Sequence, residues 1–91
     1  MRIYFQISGA VQGIGYRWFA KDAAAARGLT GFVRNRGDDS VEGEAQGDKA
    51  AVESFIQRLK TGHPLAVIDS VKVVDKNNSV GETDFIIDSS Y

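Results

Sequence analysis

The chain contains 91 residues, of which 43% are hydrophobic and 25% charged, and its formal net charge is −1. This length is sufficient for one domain with a single core, and the hydrophobic content excludes an intrinsically disordered chain. The small net charge argues against a partner bound by long-range attraction, such as bulk nucleic acid or an anionic membrane. The absence of cysteine excludes disulfides and a thiol nucleophile.

We expect a single domain over residues 1–91, located in the cytoplasm. Residues 1–8 alternate between polar and apolar side chains and lack the continuous apolar segment of a secretory signal. No apolar stretch approaches the length needed to span a membrane. Nothing in the sequence requires more than a monomer.

The chain begins with a predicted strand and a predicted helix. Ile3, Phe5 and Ile7 alternate with polar residues, which is typical of a half-buried strand. Residues 16–27 are rich in alanine and predict a helix that ends before Gly28. The apolar stripe of this helix comprises Phe19, Ala20, Ala23, Ala24 and Ala26.

A hairpin and a second helix follow. Predicted strands over residues 29–34 and 40–46 flank a turn at residues 35–39. Asp48 is a suitable N-cap for the second helix, and Gly62 ends it. The apolar positions of that helix recur at i, i+3, i+4 and i+7, as Val52, Phe55, Ile56 and Leu59.

Two further strands complete the pattern. The fourth covers residues 66–75, and its candidate core residues are Ile68, Val71 and Val73. A polar loop at 76–82 precedes a short terminal strand at 83–88, which is expected to bury Phe85 and Ile87.

This order predicts an α+β fold, a ferredoxin-like split-βαβ sandwich (βαββαβ plus a short terminal strand) with two helices packed on one antiparallel or mixed sheet. In that topology the first two strands run in the same direction, because each is antiparallel to the third. Their C-terminal ends therefore share one edge of the sheet. We expect the loop after the first strand to meet Asn35, which ends the second strand, at that edge.

The loop after the first strand has the composition of an anion site. The run from Gly9 to Arg17 reads GAVQGIGYR. Gly13 and Gly15 permit left-handed backbone conformations, so successive N–H groups can point into one concavity at a helix N-terminus. Arg17 opposes the helix dipole there unless an anion is bound. A tight strand-to-helix turn with an incidental arginine is an equally good interpretation of the spacing alone.

Several kinds of chemistry have no support in the sequence. His63 is the single histidine, and we interpret it as a polar residue at the end of the second helix. No group of histidine and acidic residues has metal-ligand spacing, so no metal site is predicted. The acidic residues nearest the hairpin are interpreted as turn and solvated-strand residues: Asp38, Asp39, Glu42 and Glu44.

The remaining candidates for a functional site are an arginine, a side-chain amide and the anion-binding loop. The guanidinium of Arg17 can donate bidentate hydrogen bonds to two phosphate oxygens. The amide of Asn35 can hold a water molecule in line with a phosphorus atom, although an Asx-turn role in the hairpin is open to it as well. These groups suffice only for a substrate whose leaving group departs easily, and a mixed carboxylic–phosphoric anhydride qualifies.

Two motifs resemble those of the acylphosphatase family. The run from Gly9 to Arg17 is similar to its G-x-V-Q-G-V-G-F-R loop, with Ile14 and Tyr16 in place of Val and Phe. A second segment, GFVRNRGDDSVEG at residues 31–43, is similar to its G-x-V-x-N-x-x-D-G-x-V-E-G pattern. The motifs occur in the expected order and separation, and the resemblance covers nearly the whole chain.

The resemblance implies hydrolysis of acyl phosphates to a carboxylate and inorganic phosphate, on this sandwich fold, without metal or cofactor. The phosphate-binding arginine of the family falls on Arg17, and its water-positioning asparagine falls on Asn35. The loop amides that hold the phosphate belong to Gln12, Gly13, Ile14, Gly15 and Tyr16. Asp39 stands where the family usually has glycine, so we expect a non-glycine residue at positive φ in the turn.

Two alternatives use the same order of elements. An RNA-binding module would stack bases on aromatic residues of the open sheet face, where Tyr4 is available, but Glu42 and Glu44 on that face would repel phosphates. A non-catalytic anion-binding or regulatory domain would keep the fold and the loop. The implied partner is therefore a small-molecule acyl phosphate, with no nucleic acid and no membrane.

Overall fold

The chain alternates strands and helices in the predicted order. The computed structural model describes residues 1–88, so the last three residues of the expected 1–91 domain lie outside the described part. The elements are β1 (Arg2–Ala10), α1 (Tyr16–Ala25), β2 (Thr30–Asn35), β3 (Val41–Gln46), α2 (Lys49–Thr61), β4 (Val67–Lys76) and β5 (Phe85–Ile87).

The five strands form one mixed sheet with the order β4-β1-β3-β2-β5. β1 is antiparallel to both β3 and β4, β2 is antiparallel to β3, and only the β2–β5 pair is parallel. This is the ferredoxin-like arrangement with β5 added beside β2. The predicted fold class is confirmed.

The strand register brings the ends of β1 and β2 to the same edge. Ile7 of β1 and Asn35 of β2 both pair with Val41 of β3, one from each side. β1 then continues to Ala10 before the chain turns toward α1. The loop between β1 and α1 therefore emerges beside the end of β2, as the sequence predicts.

The core lies between the inner sheet face and the two helices. Apolar side chains alternate inward along β1, and α2 contributes all four of its predicted positions. The largest fully buried side chains are Tyr16, Phe5, Phe55, Ile3, Ile7, Leu59, Val11, Val33, Val41 and Val52. Phe5 and Phe85 both contact the Phe55 ring edge to face, so the terminal strand is locked to α2 through one aromatic cluster.

Two predicted core positions are wrong. Val73 of β4 is 45% exposed, because β4 is an edge strand and Val73 borders an open groove beside Ile3 and Ile56. Ala26, the C-cap residue that follows the last residue of α1, is exposed. The helix stops there as Gly28 adopts a φ of 68° and Leu29 N–H turns back to the Ala24 carbonyl oxygen at 3.0 Å.

Asp48 occupies the predicted N-cap of α2, but its side chain makes no capping hydrogen bond. Within residues 1–88, no helix is both long enough and apolar enough to cross a membrane.

Candidate active site

The loop between β1 and α1 has the left-handed conformations that its glycines permit. Gly13 has a φ of 77° and Gly15 a φ of 75°. A Cβ atom at either position would meet nothing within 4 Å. Glycine is therefore favoured there by backbone conformation and not by a lack of space.

Within residues 1–88, the backbone N–H groups of this loop and of the first helical turn have no acceptor. Across the described residues, the N–H groups of residues 12–18 donate to no acceptor, and the first bond into the loop runs from Phe19 N–H to the Gly15 carbonyl oxygen at 3.0 Å. Gly15 is the N-cap of α1, no side chain caps the helix, and its first turn contains no acidic residue. The loop is thus a cluster of unsatisfied donors at a positive helix end, which favours an anion.

Arg17 lies in that first turn and is partly buried. Among residues 1–88 its guanidinium has no hydrogen-bond or ion-pair partner. By contrast, Arg2 is bound to two glutamates, and Arg36 is bound to Glu42 and Asp38. Arg17 is therefore a cation that no anionic group of the described residues pairs with, and it lies beside unbonded N–H donors.

Asn35 ends β2 and is partly buried. Its side-chain amide has no hydrogen-bond partner among the described residues. The Asx-turn role that its sequence position leaves open belongs instead to Asp38, whose carboxyl oxygen accepts from the Ser40 backbone N–H at 3.2 Å and from the Ser40 hydroxyl at 2.6 Å. The amide of Asn35 is available to a ligand.

Gln12 joins the loop to the hairpin turn. Its side-chain amide donates to the carbonyl oxygens of Arg36 and Ser40, each at 2.9 Å. These contacts use both amide hydrogens, so only the backbone N–H of Gln12 is left for an anion. The same contacts hold the loop against the turn that follows Asn35.

The side chain of Tyr16 serves packing. It is 2% exposed, and its hydroxyl donates to the Leu59 carbonyl oxygen at 2.7 Å. Burial raises the pKa of the Tyr16 hydroxyl well above its ordinary value. Tyr16 can therefore contact a ligand only through its backbone N–H. Ile14 is partly buried, and its side chain packs against the core.

Asp39 adopts a φ of 69°, the single positive value among non-glycine residues 1–88. The expected left-handed turn position is confirmed. Its carboxyl group has no partner among the described residues. The turn is instead closed by Asp38 and by a hydrogen bond from Arg36 N–H to the Ser40 carbonyl oxygen at 2.8 Å.

The interpretation of Glu42 as a solvated residue is wrong. Glu42 is 7% exposed and accepts hydrogen bonds from Tyr4, Arg34 and Arg36 at 2.7, 2.7 and 3.1 Å. Burial alone raises the pKa of its carboxyl group, but the hydrogen bonds from Tyr4 and Arg34 and the charge of Arg34 outweigh burial and lower the pKa. Strand alternation correctly placed Glu42 on the outer face; the covering side chains come from two other strands.

His63 has a contact that the sequence analysis missed. It lies just beyond α2, and its Nε2 atom is 3.0 Å from the carbonyl oxygen of Ile14 in the loop. Its separation from the loop in the sequence hides this contact, and a polar ring between Gly62 and Pro64 was the only available signal. No group of three or more histidine, cysteine or acidic residues in the described part of the chain could hold a metal ion.

The fold and this edge of the sheet define an α+β sandwich with an anion-binding loop at the start of a helix. Comparison with known proteins gives the family: the acylphosphatase family model matches residues 3–87. The chain is 43% identical over 90 residues to an acylphosphatase of Moorella thermoacetica, with 99% of this chain and 96% of that protein covered.

Solved structures of acylphosphatases have the same fold as this chain. The crystal structure of the Bacillus subtilis acylphosphatase superposes with a TM-score of 0.89 at 34% identity, covering 94% of this chain and 96% of that one. An acylphosphatase from Coxiella burnetii gives a TM-score of 0.83 at 27% identity, with coverage of 96% and 90%. The chain belongs to the acylphosphatase family. It is a hydrolase that acts on acyl phosphates, which are mixed acid anhydrides.

Proposed function

We propose that Arg17 and the N–H groups of residues 12–17 hold the phosphoryl group of the substrate, and that Asn35 positions the attacking water. The water attacks phosphorus in line with the bond to the carboxylate leaving group, and inorganic phosphate and a carboxylate are released. The substrate-binding set is Gln12, Gly13, Ile14, Gly15, Tyr16 and Arg17, and the catalytic residues are Arg17 and Asn35.

One observation carries this assignment. Within residues 1–88, the Arg17 guanidinium and the N–H groups of residues 12–18 lack partners at the same sheet edge where the Asn35 amide is also free. Elsewhere on the sheet, Arg2, Arg34 and Arg36 are each paired with a glutamate. A phosphoryl group supplies the missing acceptors, and the guanidinium fork matches two of its oxygens.

The proposed mechanism needs neither a metal nor a general acid. A carboxylate leaves a phosphoryl group without first being protonated, and the loose transition state spreads negative charge over the phosphoryl oxygens. Donors fixed around those oxygens stabilise that charge, and the Asn35 amide fixes the direction of attack. The chemistry then depends on position and electrostatics alone.

We further propose that the protein acts as a single-domain cytoplasmic monomer on a small-molecule substrate, without nucleic acid. The open sheet face supports the absence of nucleic acid. The hydroxyl of Tyr4 donates to Glu42 and its ring lies within a network of arginine–glutamate pairs, so Tyr4 is tied into a charged surface that contains buried carboxylates. Such a surface is a poor platform for stacked bases.

The test is hydrolysis of benzoyl phosphate by the purified protein in excess chelator, together with inhibition by inorganic phosphate. We expect turnover that chelation does not reduce. Arg17→Ala should abolish turnover and weaken phosphate binding, whereas Asn35→Ala should reduce turnover by about a hundredfold or more with phosphate affinity nearly unchanged.

Two surface variants serve as matched controls. Arg27→Ala removes an arginine at the opposite end of α1, and Asn77→Ala removes an exposed asparagine after β4. Both should behave as the wild type. Equal phosphate affinity in Arg17→Ala would contradict the role of Arg17. Phosphate binding without turnover in a folded wild-type protein would favour the non-catalytic anion-binding domain.

A further inference from the structure

Both ring nitrogens of His63 make hydrogen bonds. Nδ1 lies 3.1 Å from the backbone nitrogen of Leu65, and Nε2 lies 3.0 Å from the carbonyl oxygen of Ile14. The ring also packs against Tyr16 at 5.9 Å and edge to face against Phe19 at 5.2 Å between centroids. His63 thus joins the end of α2 to the anion-binding loop.

These partners determine the tautomer. The Leu65 N–H can only donate, so Nδ1 must offer a lone pair. The Ile14 carbonyl oxygen can only accept, so Nε2 must carry the hydrogen. The neutral ring with hydrogen on Nε2 satisfies both contacts, and the other neutral tautomer satisfies neither.

The contact with Ile14 fixes the direction of one loop N–H group. The Ile14–Gly15 peptide is planar and trans, so its C=O and N–H groups point in opposite directions. With the Ile14 oxygen held toward His63, the Gly15 N–H is directed to the other side of the loop. Gly13 and Gly15 on either side of Ile14 have wide backbone freedom, and this peptide would otherwise be free to rotate.

We propose that His63 is a positioning residue for acyl phosphate hydrolysis, which holds the Ile14–Gly15 peptide so that the Gly15 N–H points at the bound phosphoryl group. The inference rests on the proposed function, because it assumes that the loop amides bind phosphate. His63 itself touches neither the phosphate nor the water. Its effect is to remove, before binding, the conformational freedom that the loop would otherwise lose on binding.

Two substitutions separate the contacts of the ring. The side-chain nitrogen of glutamine reaches about as far as Nε2, so His63→Gln can keep a donor for Ile14 and loses the acceptor for Leu65. The side-chain oxygen of asparagine reaches about as far as Nδ1, so His63→Asn can keep the acceptor for Leu65 and loses the donor for Ile14. Leu65→Ala, whose side chain is 67% exposed in the same turn, is the matched control.

The measurements are the dissociation constant for inorganic phosphate, kcat and KM for benzoyl phosphate, and the denaturant midpoint of each variant. We expect His63→Asn to weaken phosphate binding and lower kcat/KM by about tenfold, which corresponds to the loss of one hydrogen bond. His63→Gln and Leu65→Ala should stay within about threefold of the wild type. Equal losses in the asparagine and glutamine variants, or no loss in either, would overturn the proposal.

A second measurement needs no variant. The nitrogen NMR shifts of the His63 ring should report hydrogen on Nε2, and the Gly15 amide resonance should move when phosphate is added. Hydrogen on Nδ1, or a Gly15 amide indifferent to phosphate, would also overturn the proposal. Arg17→Ala separates the two hypotheses: retained phosphate affinity there contradicts the proposed function, whereas a loss there with indistinguishable His63 variants contradicts only the role of His63.

Discussion

The side chain of Gln12 donates a hydrogen bond to the carbonyl oxygen of Ser40, at 2.9 Å. Gln12 belongs to the loop after β1, and Ser40 closes the turn after β2. The bond therefore joins the two segments that supply the proposed phosphate-binding and water-positioning groups. The side chain of Gln12, a residue expected to bind substrate, is thus engaged with the hairpin turn.

Gln12→Ala should lower both stability and turnover. Loss of the side chain removes its hydrogen bonds to the Arg36 and Ser40 carbonyl oxygens, of which the Ser40 oxygen keeps the Arg36 N–H as a donor. We expect this to cost on the order of 1–2 kcal/mol in the free energy of unfolding. Because the turn that carries Asn35 is released, kcat should fall more than the affinity for phosphate. Denaturant unfolding and steady-state kinetics measure this, with Gln57→Ala on the exposed face of α2 as the control. Unchanged kcat in Gln12→Ala would show that the bond does not position Asn35.

Arg17→Lys should also impair the enzyme severely. A lysine keeps the charge but cannot contact two phosphoryl oxygens in a fixed plane. We expect kcat/KM for benzoyl phosphate to fall by about a hundredfold. Arg27→Lys, at the other end of α1, should have no such effect. Near wild-type kinetics in Arg17→Lys would mean that charge alone is sufficient.

Asp39→Gly should stabilise the turn. Asp39 has a φ of 69°, which is unfavourable for a residue with a Cβ atom, and its carboxyl group has no partner among residues 1–88. Glycine relieves this strain but adds freedom to the unfolded chain, so we expect a net gain of about 0.5 kcal/mol. The denaturant midpoint measures it, and a clear loss of stability would reveal a favourable contact of the Asp39 carboxyl group.

Glu42 should make stability depend on acid pH. Its pKa lies below the ordinary value of 4.5 in the folded protein, so its ionised form stabilises the fold above that value. This contribution is lost as the pH falls through the folded-state pKa. Glu42→Gln should be less stable than the wild type at neutral pH, and its stability should decrease less between about pH 6 and pH 3.

Unfolding free energies across this pH range test the prediction. Glu53→Gln, at an exposed position on α2, should keep the pH dependence of the wild type. If Glu42→Gln shows the same acid dependence as the wild type, other carboxyl groups account for it. Glu82 is the first of these to consider, because hydrogen bonds from Arg2 lower its pKa as well.

Residue patterns were sufficient to predict the features of the fold that depend on neighbouring residues in the sequence. The resemblance to the family motif, which usually has glycine there, indicated the turn position of Asp39. Strand alternation and helical spacing located every element, and Gly28 marked the end of α1. These features depend on backbone conformation and on which side of an element is apolar. Both are encoded within a few consecutive residues.

Contacts between distant segments were not predictable in this way. Val73 alternates like a core residue, yet it lies on an edge strand beside an open groove. Glu42 is acidic and faces outward, yet side chains from β1 and β2 bury it. In each case the order of the strands in the sheet determines how far the side chain is buried.

By itself, the sequence determined the family and the fold class, and it supplied the glycines, the arginine and the asparagine that we propose as the phosphoryl site. Motifs and residue periodicity carry this information because they depend on residues close together in the chain. Only the tertiary structure decided which of those groups are free. The side chain of Gln12 bonds to the hairpin turn, that of Tyr16 is buried in the core and that of His63 contacts the loop. Arg17 and Asn35 have no partners in the part of the chain that the structure describes. The physical reason is that a hydrogen bond forms only between groups that the fold brings within about 3 Å. For residues far apart in the sequence, a local residue pattern does not predict that distance.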